Sequence, residues 1–119
     1  MKAIRGAHTA KENTVEAIRE CTLELLNEMI SVNDLKAEEM VHIIFSATKD
    51  LTKVYPAKCA REIQGLDQVP LFCVQEMYVE GSLPSCIRVM LLTERDHDAA
   101  VKHVYLGGAK KLRPDLQDK

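Results

Sequence analysis

Two side chains in the stretch Val69 to Leu92 have the charge and the setting to do chemistry, the carboxylate of Glu76 and the guanidinium of Arg88. Each sits in a β-type run, VPLFCVQEMYVE and CIRVMLL, and the turn-rich link around Gly81 and Ser82 predicts a hairpin. That hairpin sets the two charges roughly opposite each other on neighbouring antiparallel strands. Phe72, Val74, Ile87, Val89, Met90 and Leu91 flank them, and in apolar surroundings two full charges need each other or a ligand. The pair therefore reads either as a structural salt bridge across a sheet or as the centre of an active site.

Other candidates are scattered along the chain. Arg5 lies in the middle of an alternating run, Lys2 to Ala10, where a long cation must reach solvent, a carboxylate or a ligand. Lys58 and Arg61 stand three apart on a helical pattern and share a face that either contacts an anion or is simply solvated. Cys73 precedes Glu76 by three, which places the two on opposite faces of a regular strand. Either a bulge intervenes or Cys73 offers only its backbone, and we expect the backbone.

Several function classes are excluded at this level. Cys21, Cys59, Cys73 and Cys86 form no C-x-x-C unit, and His8, His42, His97 and His103 form no metal-ligand pair, so no metal or cofactor is expected. Sixteen basic and eighteen acidic residues, with no basic element, argue against nucleic acid. The apolar runs are too short to span a membrane, the N-terminus lacks a signal-peptide core, and the thiols read as free, so we expect a cytoplasmic protein. The 119 residues suit a single domain with one core.

The elements that must position these groups follow from periodicity. After the strand at Lys2 to Ala10, Asn13 with Glu16 forms a capping box for a helix that ends near Ser31 to Asn33. Its apolar stripe is Val15, Ile18, Thr22, Leu25, Leu26 and Met29. Met40 to Ala47 reads as a buried strand, Thr48 to Val54 as loop, and Tyr55-Pro56 opens a second helix closed by Gly65. His103 to Leu106 is a brief extended segment, and Leu116 to Lys119 is expected to fray. Together these predict a mixed α/β or α+β domain with about five strands and two covering helices.

The chain resembles the monofunctional, trimeric bacterial chorismate mutases with a pseudo-α/β-barrel fold. The likeness runs through IRGA at Ile4 to Ala7, SAT-DL at Ser46 to Leu51, YPAKCAR at Tyr55 to Arg61, VP-L-C-QEM at Val69 to Met77, CIRVM at Cys86 to Met90, and HVYL with LRPDL between His103 and Leu116. It implies the Claisen rearrangement of chorismate to prephenate, without cofactor, in a homotrimer whose sites lie between subunits, with a mobile C-terminal tail near the entrance. By motif, the substrate-contacting positions are Arg5, Tyr55, Ala57, Lys58, Arg61, Phe72, Cys73, Glu76, Arg88, Tyr105 and Arg113. The resemblance gives Arg88 the ether oxygen, Glu76 the ring hydroxyl, Arg5 and Tyr105 the side-chain carboxylate, and Arg61 and Arg113 the ring carboxylate. Tyr55 replaces a frequent phenylalanine and Phe72 a smaller residue, which implies altered affinity and unaltered chemistry. The competing expectation is a non-catalytic trimer of similar fold that binds a small anion.

Overall fold

The computed structural model describes residues 1–116; of the tail expected to fray, Leu116 instead closes a 3-10 turn (Pro114–Leu116) and packs against a buried cluster, and the rest lies outside the described residues. Five strands make one mixed sheet: β1 (Lys2–Thr9), β2 (Met40–Ala47), β3 (Leu71–Gln75), β4 (Cys86–Thr93) and β5 (Val104–Tyr105), in the order β3-β2-β4-β1-β5. β4 runs antiparallel to both β1 and β2, whereas β3 is parallel to β2 and β5 is parallel to β1. Two helices, α1 (Val15–Asn33) and α2 (Pro56–Ala60), complete the α+β architecture.

The expected hairpin is absent. β3 and β4 are separated by β2, because the segment between β2 and β3 carries α2 and a 3-10 turn and is long enough for a parallel crossover. β3 thus becomes an edge strand, and only five residues of the longer run form it.

α1 forms where the sequence places it, with a different cap. The Thr14 hydroxyl, not Asn13, accepts from the Ala17 amide at 3.1 Å, a contact of about 1 kcal/mol. Asn13 instead ties the helix start to the following loop, donating to the Thr52 hydroxyl and accepting from the Thr52 amide, each at 2.9 Å. Ile18, Thr22, Leu25, Leu26 and Met29 are buried as the stripe requires, but Val15, on the exposed first turn, keeps 46% of its surface. α2 is shorter than expected and stops at Ala60; Gly65, at φ 89°, opens the next 3-10 turn rather than closing this helix.

The core is one sheet face packed beneath α1. Ile4, Ile43, Phe45, Ile87, Val89 and Leu91 meet Ile18, Leu25, Leu26 and Met29 there. Helix and sheet approach closely because Gly6 has no side chain, and a Cβ at that position would overlap the Met29 sulfur. Among the described residues the opposite face bears no α-helix; the 3-10 turn Gly107–Lys111 packs on it, over the β1–β5 side, where Ala7, Cys86, Tyr105 and Ala109 form a small second cluster. Along this face run the rows Arg5, Met90, Ile44, Phe72 and Ala7, Arg88, Ser46, Val74. Three of the apolar residues expected to bury the charge pair are therefore exposed, Phe72 by 65%, Val74 by 43% and Met90 by 38%, while Ile87, Val89 and Leu91 point into the core. Strand alternation sends successive residues to opposite sides, and α1 covers only one of them.

Candidate active site

Arg88 and Glu76 do meet, by a route other than a hairpin. Glu76 lies one residue past β3, and its amide continues the β3–β2 ladder by donating to the Ala47 carbonyl at 3.0 Å. From there the carboxylate reaches over the end of β2 to β4. Arg88 Nε donates to Oε1 at 2.7 Å and Arg88 Nη2 donates to Oε2 at 2.6 Å, a two-pronged fork. Between them on β2 stands Ser46, in register with Arg88, whose hydroxyl donates to Glu76 Oε1 at 2.6 Å.

The electrostatics follow from this contact. The Arg88 hydrogen bonds hold the Glu76 carboxyl below the usual carboxylate range, with partial burial opposing and Ser46 assisting. Reciprocally, Glu76 raises the Arg88 pKa, so both remain charged at neutral pH. The Arg88 side chain is 55% exposed, which makes the pair a solvated clamp rather than the buried ion pair expected from sequence.

Arg88 opens onto a cavity of about 380 Å³ on the uncovered sheet face, lined also by Arg5, Ser46, Met90, Tyr105 and Arg113. Three guanidiniums and a tyrosine lining one cavity suit a small anion with more than one carboxylate. Each comes from a different element: Arg5 from the middle of β1, Tyr105 from β5, and Arg113 from the C-terminal turns. Tyr105 is buried against Ala7, Cys86 and Ala109, which fixes its ring. Arg113 forms a fork with Asp115, at 3.0 and 2.8 Å.

The remaining sequence candidates gather elsewhere. Tyr55, Lys58 and Cys73 line a second cavity, about 650 Å³, between the loop after β2, the start of α2 and the edge strand β3. Tyr55 caps α2 and is 71% exposed. Arg61 and Lys58 share a neighbouring surface depression beside Glu62, which is held by Arg19. Ala57 and Cys73 pack against the main core. Phe72 stands on the uncovered face, and Cys73, one residue on, faces the opposite way with its thiol pKa raised by burial. Within one chain, then, Arg5, Glu76, Arg88, Tyr105 and Arg113 converge, whereas Tyr55, Lys58 and Cys73 line the second cavity, Arg61 the depression beside it, Ala57 packs on the core, and Phe72 stands on the uncovered face outside the Arg88 cavity.

A smaller cavity of about 180 Å³ lies on the other side of Glu76, under Met77, Tyr78 and Pro84. Its charged groups are already engaged, since Asp50 accepts from Ser85 and Lys49 sits 3.8 Å from the Tyr78 ring. Among the described residues one group has metal-ligand donor types within mutual reach, Asp96, His97 and Asp98, all exposed. The two nitrogens of His97 face different carboxylates there, and none of the three lines a cavity described above.

Sequence reasoning missed Ser46. The signal was present as a hydroxyl interrupting the apolar strand IIFSA, on the same face as Ile44, where a polar group needs a partner.

Comparison with known proteins bears on the whole of this arrangement. The model of the family described as chorismate mutase type I matches residues 1–116. The chain is similar to chorismate mutase AroH of Bacillus subtilis strain 168, with 44% identity over 98% of this chain and 92% of that protein. It is 46% identical to chorismate mutase AroH of Thermus thermophilus, over 98% and 97% of the two chains. Among solved structures, a chorismate mutase from Clostridium thermocellum superimposes with a TM-score of 0.89 at 45% identity, covering 94% of this chain and all of that one.

Proposed function

The chain belongs to the chorismate mutase type I family, and from that premise we propose how its own residues convert chorismate to prephenate, the isomerisation that serves aromatic amino-acid biosynthesis. The reaction breaks one carbon–oxygen bond as one carbon–carbon bond forms, and no proton moves. Side chains can therefore act in two ways: by holding the substrate compact, and by stabilising charge on the ether oxygen as it leaves.

Arg88 takes the second role. Its guanidinium donates to the ether oxygen, where negative charge grows toward the transition state, so the contact strengthens as the bond breaks. Glu76 orients that guanidinium and accepts from the ring hydroxyl, and Ser46 steadies the carboxylate. Arg5 and Tyr105 take the side-chain carboxylate; Arg113 and Arg61 take the ring carboxylate nearer solvent. The observation that carries this reading is the Arg88–Glu76 fork facing a cavity shared with Arg5 and Tyr105. A non-catalytic anion-binding role is not favoured.

The reading extends to a homotrimer built from one domain spanning residues 1–119. Its support is the division described above: Tyr55, Lys58, Arg61, Phe72 and Cys73 do not line the cavity of Arg88 in their own chain. A second copy placed against the uncovered face supplies them there, and covers Phe72, Met77, Tyr78 and Met90, which the single chain exposes. Tyr55 and Phe72 then shape the pocket mouth, with effects on affinity rather than chemistry. A cytoplasmic setting without nucleic-acid partners is supported by four free cysteines and near-balanced charge; no helix among the described residues is long and apolar enough to cross a membrane.

The test is Arg88→Lys, followed by loss of chorismate absorbance. Lysine keeps the charge and a partner in Glu76 but loses the fork, so turnover falls by about 100- to 1000-fold while KM changes less. Sedimentation equilibrium of parent and variant gives about three chains. Near-parental turnover returns Arg88 to a structural role, and a fully active monomer overturns the shared site.

A further inference from the structure

His103 has no part in the roles assigned so far, yet it touches Arg5 directly. The Arg5 amide donates to His103 Nδ1 at 2.9 Å, across 98 residues of sequence and partly out of solvent. β1 and β5 pair through Gly6 with Val104 and Ala7 with Tyr105. At the next step of that ladder an imidazole nitrogen stands where a backbone carbonyl would accept. The residue before it is anchored as well: the buried Asn33 on α1 accepts from the Lys102 amide at 2.7 Å and donates to the Lys102 carbonyl at 2.9 Å.

We propose that His103 is a positioning residue for Arg5, fixing the β1 backbone so that the guanidinium meets the substrate carboxylate at a set place; this rests on Arg5 being a carboxylate clamp. The Nδ1 atom accepts only in the neutral imidazole that carries its proton on Nε2. The surroundings hold that form. Lys2 and Arg5 on β1 and Arg113 in the C-terminal turns lie within electrostatic reach of the ring, and α1 contributes the uncharged Asn33, bonded to the preceding residue. Burial first, and these three cations second, lower the His103 pKa below its ordinary value. Protonation would set an N–H against the Arg5 N–H.

The experiment compares His103→Ala and His103→Asn with the parent, and repeats His103→Ala in an Arg5→Ala background. Steady-state kinetics with chorismate are read from pH 5 to 8 beside thermal melting and sedimentation. His103→Ala raises KM about three- to tenfold, the size of one lost hydrogen bond, with kcat within about twofold. Asparagine, whose Oδ1 stands close to the position of Nδ1, recovers most of that affinity. The parent KM climbs as the pH falls below 6.5 toward the lowered pKa, and that of His103→Asn stays level. In the Arg5→Ala background, His103→Ala has no further effect on KM. A KM unmoved by His103→Ala in a less stable protein overturns the inference, as does an acid rise in His103→Asn equal to the parent's. The asparagine arm decides alone if the alanine variant fails to fold. If Arg5→Ala itself leaves KM unchanged, the clamp reading of Arg5 fails instead.

Discussion

On the sheet face beneath α1, Ile4, Ile43, Phe45, Ile87 and Leu91 keep no exposed surface, whereas on the other face of the same sheet Phe72 and Met90 keep 65% and 38% of theirs. The covered face is mostly apolar, with His8 at one end and Lys2 and the buried Thr93 at the other, and the chain completes it with its own helix. The uncovered face mixes Arg5, Ser46 and Arg88 with Ile44, Met90 and Phe72. Apolar packing is concentrated on one side of the strands and the proposed chemistry on the other. Arg88 can therefore sit in the best-formed part of the sheet, inheriting its rigidity, without its charge entering the core.

The sharpest test of this division uses neighbours. Leu91→Ala removes a fully buried side chain and costs about 2–5 kcal/mol, read as a lower denaturant midpoint at every protein concentration. If copies meet on the uncovered face as proposed, Met90→Ala, one residue away, changes stability by an amount that depends on protein concentration, because it removes part of that contact. A concentration-independent loss at Met90 equal to that at Leu91 would break the comparison. A smaller effect comes at Ser46. Ser46→Ala frees one oxygen of Glu76 and loosens the fork, lowering turnover by roughly tenfold, about the worth of one charge-assisted hydrogen bond, with melting nearly unchanged. Equal falls in turnover and melting temperature would place Ser46 in the fold instead.

The smallest effect is that of acid on the Glu76–Arg88 pair. Glu76 has a folded pKa below its unfolded value, so its share of stability is fully present above about pH 4.5. That share disappears as the pH falls through the lower folded value. Because Arg88 is half exposed, the share is at most about 1 kcal/mol. Comparing the parent with Glu76→Gln between pH 3 and 7 isolates it; a difference that grows toward acid would reverse the sign.

Sequence reading succeeded where the information was local. The bounds Met40 to Ala47 match β2, and the stripe on α1 identified its buried side, because period and branching act within a few residues. It failed where the answer depended on which strand lies beside which. Alternation shows that Arg88 and Val89 face opposite ways, but not that α1 covers the side of Val89 alone, nor that β2 enters between β3 and β4. Glu76 and Arg88 were paired correctly for a wrong reason, and Ser46, the residue that bridges the gap left by β2, went unseen as a consequence. The cap on α1 was displaced by one residue because Asn13 and Thr14 are both able acceptors, and only the contact with Thr52 separates their duties.

The position of β3 has a consequence for how the protein must be made. A five-residue parallel strand at the rim of the sheet, with Phe72 and Val74 facing outward, leaves a row of main-chain donors and acceptors beside an oily surface. In the trimer proposed above, a newly folded chain would carry that rim bare until another copy arrived, and any extended segment nearby could dock on it first. On that reading, renaturation from denaturant is a race between two bimolecular events, correct encounter and clumping. Yield is set by temperature and dilution schedule as much as by the free energy of the finished molecule.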